Sequence, residues 1–195
     1  MNAIIFLNYK NDSVATLGSN ILNAGTDIEQ IIIVKEKGIS NAINVGLRQI
    51  NFDLINFVTI LANDIYEPDN WLSIRNEFMQ DKQIGICSIP VNGFADDTSD
   101  LVGNFTISSE VIKKVGAFNE ELDPYGAIDL DYCTRVRVAG YDTKFIKNYL
   151  AMQIEKNYNH NYGFDKLELV NATWGLHSKN VNDYQSGSKN YYITL

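Results

Sequence analysis

The stretch Leu54–Asp64, LINFVTILAND, decides the fold of this chain. Its first part is a mostly apolar run rich in β-branched residues, and it ends abruptly in Ala62, Asn63 and Asp64. Such a run is typical of a strand that is buried on both faces of a parallel sheet. Open α/β sheets bind their ligands just past the carboxyl ends of such strands. The stretch therefore predicts a buried strand with the Asp64 carboxylate at a ligand-binding edge.

Three further runs of this kind alternate with segments of helical period. The runs are Ala3–Leu7, Ile31–Val34 and Ile84–Ile89, and we expect all of them to be buried on both faces. Alternation of strands and helices at this spacing predicts right-handed βαβ units. We therefore expect an α/β fold, a single domain over residues 1–195, with a mostly parallel central sheet flanked by helices.

The periodicity also places the helices. We expect one helix through Ile43, Leu47 and Ile50, and a second, from Trp71 to Met79, capped by Asp69 or Asn70. A third helix is expected from Glu110 to Val115, with Ser108 or Ser109 at its start and Gly116 at its end. A fourth runs from Asp129 to Ala139 and is ended by Gly140, and a fifth passes through Leu167 and Trp174. Phe145-Ile146 is expected as a short last strand and Ser186 to Asn190 as a flexible end.

The composition narrows the class of partner. Apolar residues make up 45% of the 195 residues, which is enough for a substantial core. The formal net charge of −8 argues against a nucleic-acid partner. Cys87 and Cys133 lie in apolar runs, as buried reduced thiols do, and the apolar run Ala3–Leu7 is too short for a signal peptide or a membrane span. We expect a cytoplasmic protein with no membrane span.

Asp64 has two interpretations. It is a candidate ligand for Mg²⁺ or Mn²⁺, which favour a few carboxylate oxygens together with phosphates and water. It is equally a candidate turn residue, because Asn63-Asp64 followed by Glu67-Pro68 is favourable turn chemistry. The spacing alone leaves both interpretations open.

Asp129 and Asp131 open an amphipathic segment. Two residues apart on a helix, their side chains point about 200° apart, so they cannot serve the same pocket. Asp131 and Arg135 have the i,i+4 spacing of an ordinary surface ion pair, which leaves Asp129 as the better candidate for a general base. The alternative for Asp129 is a carboxylate that stabilises the first turn of its helix.

The remaining candidates are weaker. Residues 38–46 are rich in glycine but contain neither G-x-G-x-x-G nor the Lys-Ser/Thr of a P-loop. His160 and His177 are isolated, and an isolated histidine is more often structural or solvated than a metal ligand. His160, which lies among tyrosines and asparagines, is the better candidate metal ligand of the two.

The middle of the chain carries a specific order of segments. Residues 103–121, GNFTISSEVIKKVGAFNEE, form a small-residue strand, a helix and a Gly-Ala-Phe-Asn-Glu turn. They continue into YGAIDLD at 125–131, Arg135 and the Ala-Gly-Tyr of 139–141. This order resembles the inverting family 2 glycosyltransferases, which have the GT-A fold. The resemblance extends over about Ala3 to Phe145, with Ala62-Asn63-Asp64 at the place of the family's Asp-x-Asp motif.

The resemblance implies a role for each candidate residue. Asp64 would bind Mn²⁺ or Mg²⁺, with His160 as a further candidate ligand, and Asp129 would be the catalytic base. The donor would be a nucleotide sugar and the acceptor a carbohydrate or glycoconjugate. The candidate nucleotide-binding residues are Asn8, Tyr9, Lys35, Glu36, Asn44 and Asn63. Residues 1–90 would form the nucleotide-sugar-binding half, 91–150 the acceptor and catalytic half, and 151–195 a C-terminal extension.

The sequence departs from the family pattern at four points. Ala62 replaces the first acid of Asp-x-Asp, Ile128 the acid before Asp129, and Ile43 the arginine of the Ala-Arg-Asn segment. The turn after the second strand is shortened to Lys35–Lys37. These departures support an alternative, a catalytically inactive module that binds a nucleotide sugar or a glycan. A nucleotidyltransferase and a structural protein that uses the same fold are further alternatives; the first would need a signature loop that residues 8–12 do not resemble.

Overall fold

A six-stranded sheet forms the centre of the chain. The structure, a computed structural model, describes residues 1–8, 14–91, 104–123, 126–154 and 166–195, and only the backbone of 166–171. In order these residues form β1 (Asn2–Leu7), α1 (Val14–Leu22), β2 (Gln30–Val34), α2 (Ile39–Leu47), β3 (Phe57–Ala62), β4 (Ile65–Tyr66), α3 (Trp71–Phe78), β5 (Ile84–Ser88), β6 (Phe105–Ser108), α4 (Ser109–Val115), a 3-10 turn (Glu120–Leu122), α5 (Ile128–Val138), β7 (Asp142–Phe145), β8 (Met152–Gln153) and α6 (Lys166–Ser186).

The strands are arranged in the order β2-β1-β3-β6-β5-β7. β1 is parallel to β2 and β3, and β5 is parallel to β7, whereas β6 runs antiparallel to both β3 and β5. The expectation of a mostly parallel sheet is therefore confirmed. The carboxyl ends of the parallel strands meet at one edge, and the antiparallel β6 begins at that same edge. β4 and β8 form a separate two-stranded sheet.

Helices cover both faces of the sheet. Since side chains alternate between the faces along each strand, neighbouring residues of a strand pack against different helices. In β1, Ile5 belongs to the core cluster that includes residues of α2, α4 and α5. Its neighbour Phe6 belongs to the cluster on the other face, which includes Leu17 of α1 and Trp71 of α3. Within the described residues, no helix combines the length and apolar composition required to cross a membrane.

Two expectations about the strands are wrong. β2 is not buried on both faces, since Ile31 is 40% and Ile33 52% exposed while Ile32 and Val34 are buried. The reason is that β2 is the outermost strand, paired only with β1. β3 begins at Phe57 rather than Leu54, because the Leu54 N–H donates to the Asn51 carbonyl in a turn at 3.0 Å.

The helix termini follow the sequence in most cases. Ser108 caps α4 by accepting from the Val111 N–H at 3.2 Å, and Gly116 ends that helix. α5 begins one residue before the expected Asp129 and ends one before Ala139. Asn70 precedes α3 as expected, but it has a left-handed conformation with φ 61° and makes no side-chain capping bond. The sequence did not predict α1.

The C-terminal residues pack back onto the domain. The Ile193 N–H donates to the Val115 carbonyl at 3.1 Å, and the Ala117 N–H donates to the Ile193 carbonyl at 2.8 Å. Lys189 Nζ donates to Asn180 Oδ1 at 2.9 Å, and the flexibility expected at 186–190 stays a prediction. Residues 191–195 therefore form a segment, the C-terminal strap, that packs over the end of α4.

Gly116 is required for this strap, and Gly116→Ala should destabilise the domain. A Cβ there would lie 1.7 Å from the backbone carbonyl oxygen of Ile193, and φ is +83°. Gly140→Ala is the matched control, because its φ is +92° but nothing lies within 4 Å of its Cβ. We expect thermal unfolding to show a Tm loss of about 2–8 °C for Gly140→Ala, from backbone strain alone. Gly116→Ala should lose at least twice as much; equal losses would mean that the strap contact contributes nothing.

Candidate functional site

Five of the predicted site residues lie at the carboxyl edge of the parallel strands. Asn8 follows β1, and its N–H donates to the Val34 carbonyl of β2 at 2.8 Å, beside Lys35 and Glu36. Asn63 and Asp64 follow β3, which is the other neighbour of β1. Asn8 is buried, and its Oδ1 has no hydrogen-bond partner in the described part of the chain. Lys35 and Glu36 are exposed. Two predicted residues, Tyr9 and His160, lie outside the described residues.

Asp64 occupies the turn between β3 and β4 and is half-buried. Its Oδ2 accepts a hydrogen bond from Gln153 Nε2 at 2.9 Å, and its carbonyl accepts from the Ile154 N–H at 2.9 Å. Across the described ranges, no group of three or more His, Cys, Asp or Glu side chains could hold a metal ion. A single carboxylate nevertheless fits Mn²⁺ or Mg²⁺ in sites where substrate phosphates and water complete the coordination.

Asp129 lies in the first turn of α5, on the opposite face of the sheet from α3. It is half-buried and borders a narrow crevice with Ile86, Phe105, Tyr132 and Cys133. The Leu130 N–H donates to Asp129 Oδ1 at 3.0 Å. The other four side chains that line this crevice in the described part of the chain are apolar or aromatic.

The start of β6 connects the two carboxylates. Asn104 Oδ1 accepts from the Ala62 N–H at 2.6 Å, two residues before Asp64. The next residue, Phe105, borders the crevice of Asp129. The structure therefore brings Asp64 and Asp129 to the same edge of the sheet, on the two sides of residues 104–105. Carboxylates can bind a divalent cation or accept a proton, which are two functions that group transfer requires.

Known structures with low sequence identity share the fold of this chain. No protein-family model matches the sequence, and no curated protein sequence matches it significantly. A mannosyltransferase from Pyrobaculum calidifontis, in complex with GDP-Man and Mn²⁺, superimposes with a TM-score of 0.61 at 13% identity, over 83% of this chain and 59% of its own. GalNAc-T7, with UDP, GalNAc and Mn²⁺, gives 0.66 at 11% identity, over 91% and 50%.

A third structure is a Drosophila β1,4-galactosyltransferase 7 variant in complex with manganese, UDP-Gal and xylobiose. It gives a TM-score of 0.64 at 10% identity, over 86% of this chain and 78% of its own. All three are GT-A-type glycosyltransferase domains. The chain has the GT-A fold. It spans 59% and 50% of the length of the mannosyltransferase and of GalNAc-T7.

Asp131, the second acid of α5, is a structural residue of this GT-A domain. The sequence predicted a surface ion pair with Arg135, and this is wrong, because both side chains are fully buried at an Nε–Oδ2 distance of 2.8 Å. Tyr184 of α6 donates its hydroxyl to Asp131 Oδ1 at 3.3 Å, and Arg135 Nη1 donates to the Tyr191 carbonyl at 3.4 Å. Residues of α6 and of the C-terminal strap bury this ion pair. The spacing of Asp131 and Arg135 in the sequence cannot reveal contacts with such distant segments.

Asn44 and the start of α2 are engaged within the GT-A domain itself. Asn44 Nδ2 donates to the Phe118 carbonyl at 3.0 Å and to Glu120 Oε1 at 2.8 Å, and Asn44 Oδ1 accepts from the Phe118 N–H at 2.8 Å. Its contact with a nucleotide stays a prediction. The carboxylate of Asp123 accepts from the Ser40 and Asn41 N–H groups at 2.8 and 2.9 Å. The N-terminus of α2 therefore binds an internal carboxylate, although burial raises the pKa of Asp123.

A buried ion pair that the sequence does not predict lies on the α3 face of the GT-A sheet. Arg75 Nη2 lies 2.7 Å from Glu67 Oε1, and both side chains are fully buried. The pair lies close to Cys87, whose thiol pKa burial raises to about 12. The sequence predicts only a turn at Glu67-Pro68. The spacing of Glu67 and Arg75, eight residues apart, is not one that a single helix or strand brings together.

Proposed function

We propose that this chain is a glycosyltransferase that moves a sugar from a nucleotide-sugar donor to an acceptor hydroxyl, with inversion at the anomeric carbon. The observation that carries the proposal is the position of Asp64 and Asp129 on the two sides of the start of β6, at the carboxyl edge of a GT-A sheet. The sequence alone predicts both carboxylates as candidate site residues. Location in the cytoplasm is part of the proposal.

The donor would bind to the half formed by residues 1–90. Asn8, Lys35, Glu36 and Asn63 lie at the ends of β1, β2 and β3, where a nucleotide can contact all three strands. Support comes from the structures with the same fold, which contain GDP-Man with Mn²⁺, UDP with Mn²⁺, and UDP-Gal with manganese. Asp64, with His160 as a further candidate, would hold the divalent cation. Bound there, the cation would neutralise the charge that develops on the leaving diphosphate.

The acceptor would bind on the side of Asp129, in the half formed by residues 91–150. The acceptor oxygen attacks the anomeric carbon while Asp129 takes the hydroxyl proton. The bond from the anomeric carbon to the phosphate oxygen breaks, and its electron pair leaves with the nucleoside diphosphate. Because attack and departure occur on opposite faces of the sugar, the configuration inverts. Holding donor and acceptor together removes much of the entropic barrier.

A thermal-shift screen of nucleotide sugars, with and without Mn²⁺, tests this proposal. A ligand at about 100 times its dissociation constant adds about 2.7 kcal/mol of stability, which corresponds to a rise in Tm of about 5–10 °C for a domain of this size. We expect one nucleotide to give such a rise only when Mn²⁺ is present, and Asp64→Asn to abolish the dependence on Mn²⁺. The absence of any shift across the panel would contradict the proposal. A shift without donor turnover would support the inactive binding module instead.

A further inference from the structure

We infer that Asn104 and Asn20 are positioning residues that hold the Asp64 carboxylate in place for a divalent cation. This inference rests on the proposed function, in which Asp64 is the metal ligand. It concerns two buried residues, Asn104 at 1% and Asn20 at 0% exposure. They act on the backbone before and after Asp64.

Asn104 fixes the backbone before Asp64. Its Oδ1 accepts from the Ala62 N–H at 2.6 Å, and its Nδ2 donates to Glu67 Oε1 at 2.8 Å. The residue is 1% exposed, so water does not compete for these bonds. Ala62 is the last residue of β3, and its N–H is beyond the last β3–β6 pair, Ile60 and Phe105. The Asn104 side chain therefore extends the pairing of β3 towards the turn.

Asn20, from α1, fixes the backbone after Asp64. Its Nδ2 donates to the Ile65 carbonyl at 3.0 Å, and its Oδ1 accepts from the Glu67 N–H at 2.9 Å. It is fully buried. Its own carbonyl accepts from Trp71 Nε1 at 2.8 Å, which ties α1 to α3. The two asparagines thus bind the chain on both sides of the Asn63-Asp64 turn.

The buried Glu67–Arg75 pair connects the two asparagines. Glu67 Oε1 accepts from Arg75 and Asn104, and the Glu67 N–H donates to Asn20. Arg75 also donates to Thr106 Oγ1 and to the Asn104 carbonyl, both at 3.4 Å. A buried ion pair adds little net stability, because desolvation of the two charges offsets their attraction. Its position beneath this turn favours a role in fixing geometry.

A rigid turn matters most for a metal site with few protein ligands. Ala62 supplies no carboxylate, so Asp64 is the only acid of the AND sequence at 62–64. A single carboxylate binds a cation more tightly when its position is fixed before the cation arrives. The loss of groups that orient a metal ligand typically weakens metal binding about 10–100-fold. Gln153 Nε2 contacts the Asp64 carboxylate directly, and Asn104 and Asn20 fix the backbone on the two sides of that carboxylate.

The test measures Mn²⁺ binding with UDP and, separately, with GDP, from the electron paramagnetic resonance signal of free Mn²⁺, after correction for the Mn²⁺ that the nucleotide binds without protein. We expect Asn104→Ala and Asn20→Ala each to raise the Mn²⁺ dissociation constant about tenfold or more. The control is Ser109→Ala, which removes a buried bond from Ser109 Oγ to the Ile55 carbonyl, at the opposite end of the β3–β6 pair. It should lower Tm without changing Mn²⁺ affinity.

The outcomes separate the inference from the proposed function. If Mn²⁺ binds the unsubstituted chain and Asp64→Asn abolishes binding, while both asparagine variants keep the original dissociation constant, the positioning role is wrong and the proposed function stands. If the unsubstituted chain binds no Mn²⁺ with either nucleotide, the metal role of Asp64 fails, and the inference fails with it. Should Asn104→Ala not fold, Asn20→Ala, on the other side of the turn, carries the same prediction.

Discussion

Asp129→Asn should lower the turnover of sugar transfer about 1,000-fold, within the range that general-base catalysis contributes. Asparagine has nearly the shape of aspartate and keeps an oxygen for the Leu130 N–H, so the first turn of α5 should survive. It cannot accept a proton from the acceptor hydroxyl. The dissociation constant of the donor should stay near its original value, since the residues proposed to bind the donor lie at the ends of β1 to β3. Steady-state kinetics and donor titration measure the two quantities separately.

Asp131→Asn is the matched control for this experiment. It makes the same chemical change two residues further along α5, at a fully buried side chain paired with Arg135. We expect it to lower Tm while turnover per folded molecule, measured well below Tm, stays near that of the unsubstituted chain. If Asp129→Asn leaves turnover unchanged, or if Asp131→Asn lowers it as strongly, Asp129 is not the base.

Arg135→Met should cost about 3–5 kcal/mol of stability, because it leaves the Asp131 carboxylate buried without its cation. The change also removes the bonds from Arg135 to the Val115 and Tyr191 carbonyls, which attach the C-terminal strap to α4 and α5. For a domain of this size the loss corresponds to a fall in Tm of about 6–20 °C. Thermal unfolding followed by circular dichroism measures it.

A double variant identifies the cause of that loss. Asp131→Asn together with Arg135→Met removes both charges and keeps an oxygen for the Tyr184 hydroxyl. If the uncompensated charge dominates, the double variant should regain at least half of the lost Tm, since neutral replacements of buried pairs are well tolerated. A double variant as unstable as Arg135→Met would instead attribute the loss to the broken bonds with the strap.

The sheet and the place of both candidate acids could be predicted because they depend on local patterns. A mostly apolar run that stops at Ala62-Asn63-Asp64 fixes both the strand and the position of Asp64. The helical spacing of Asp129 and Asp131 correctly indicated that the two side chains point to different environments. Both inferences need only the periods of strand and helix, which neighbouring residues determine.

The errors share a cause, which is that distant segments decide burial. Asp131 and Arg135 have the spacing of a surface pair, but Tyr184 and the C-terminal strap cover them. The apolar run Ile31–Val34 predicts that Ile31 and Ile33 are core residues, but the position of β2 at the sheet edge exposes them. Glu67 and Asn104 are 37 residues apart, so no periodic pattern could connect them beneath the Asp64 turn.

The configuration of the product tests the central claim most directly. The nucleotide sugar that stabilises the chain with Mn²⁺ is incubated with a panel of aryl glycosides as acceptors, and the anomeric coupling constant of the new bond is read by NMR. We predict release of the nucleoside diphosphate and a product with the configuration opposite to that of the donor, both lost in Asp129→Asn. A product with retained configuration, or a bound donor that is never consumed with any acceptor or with water, would contradict the account.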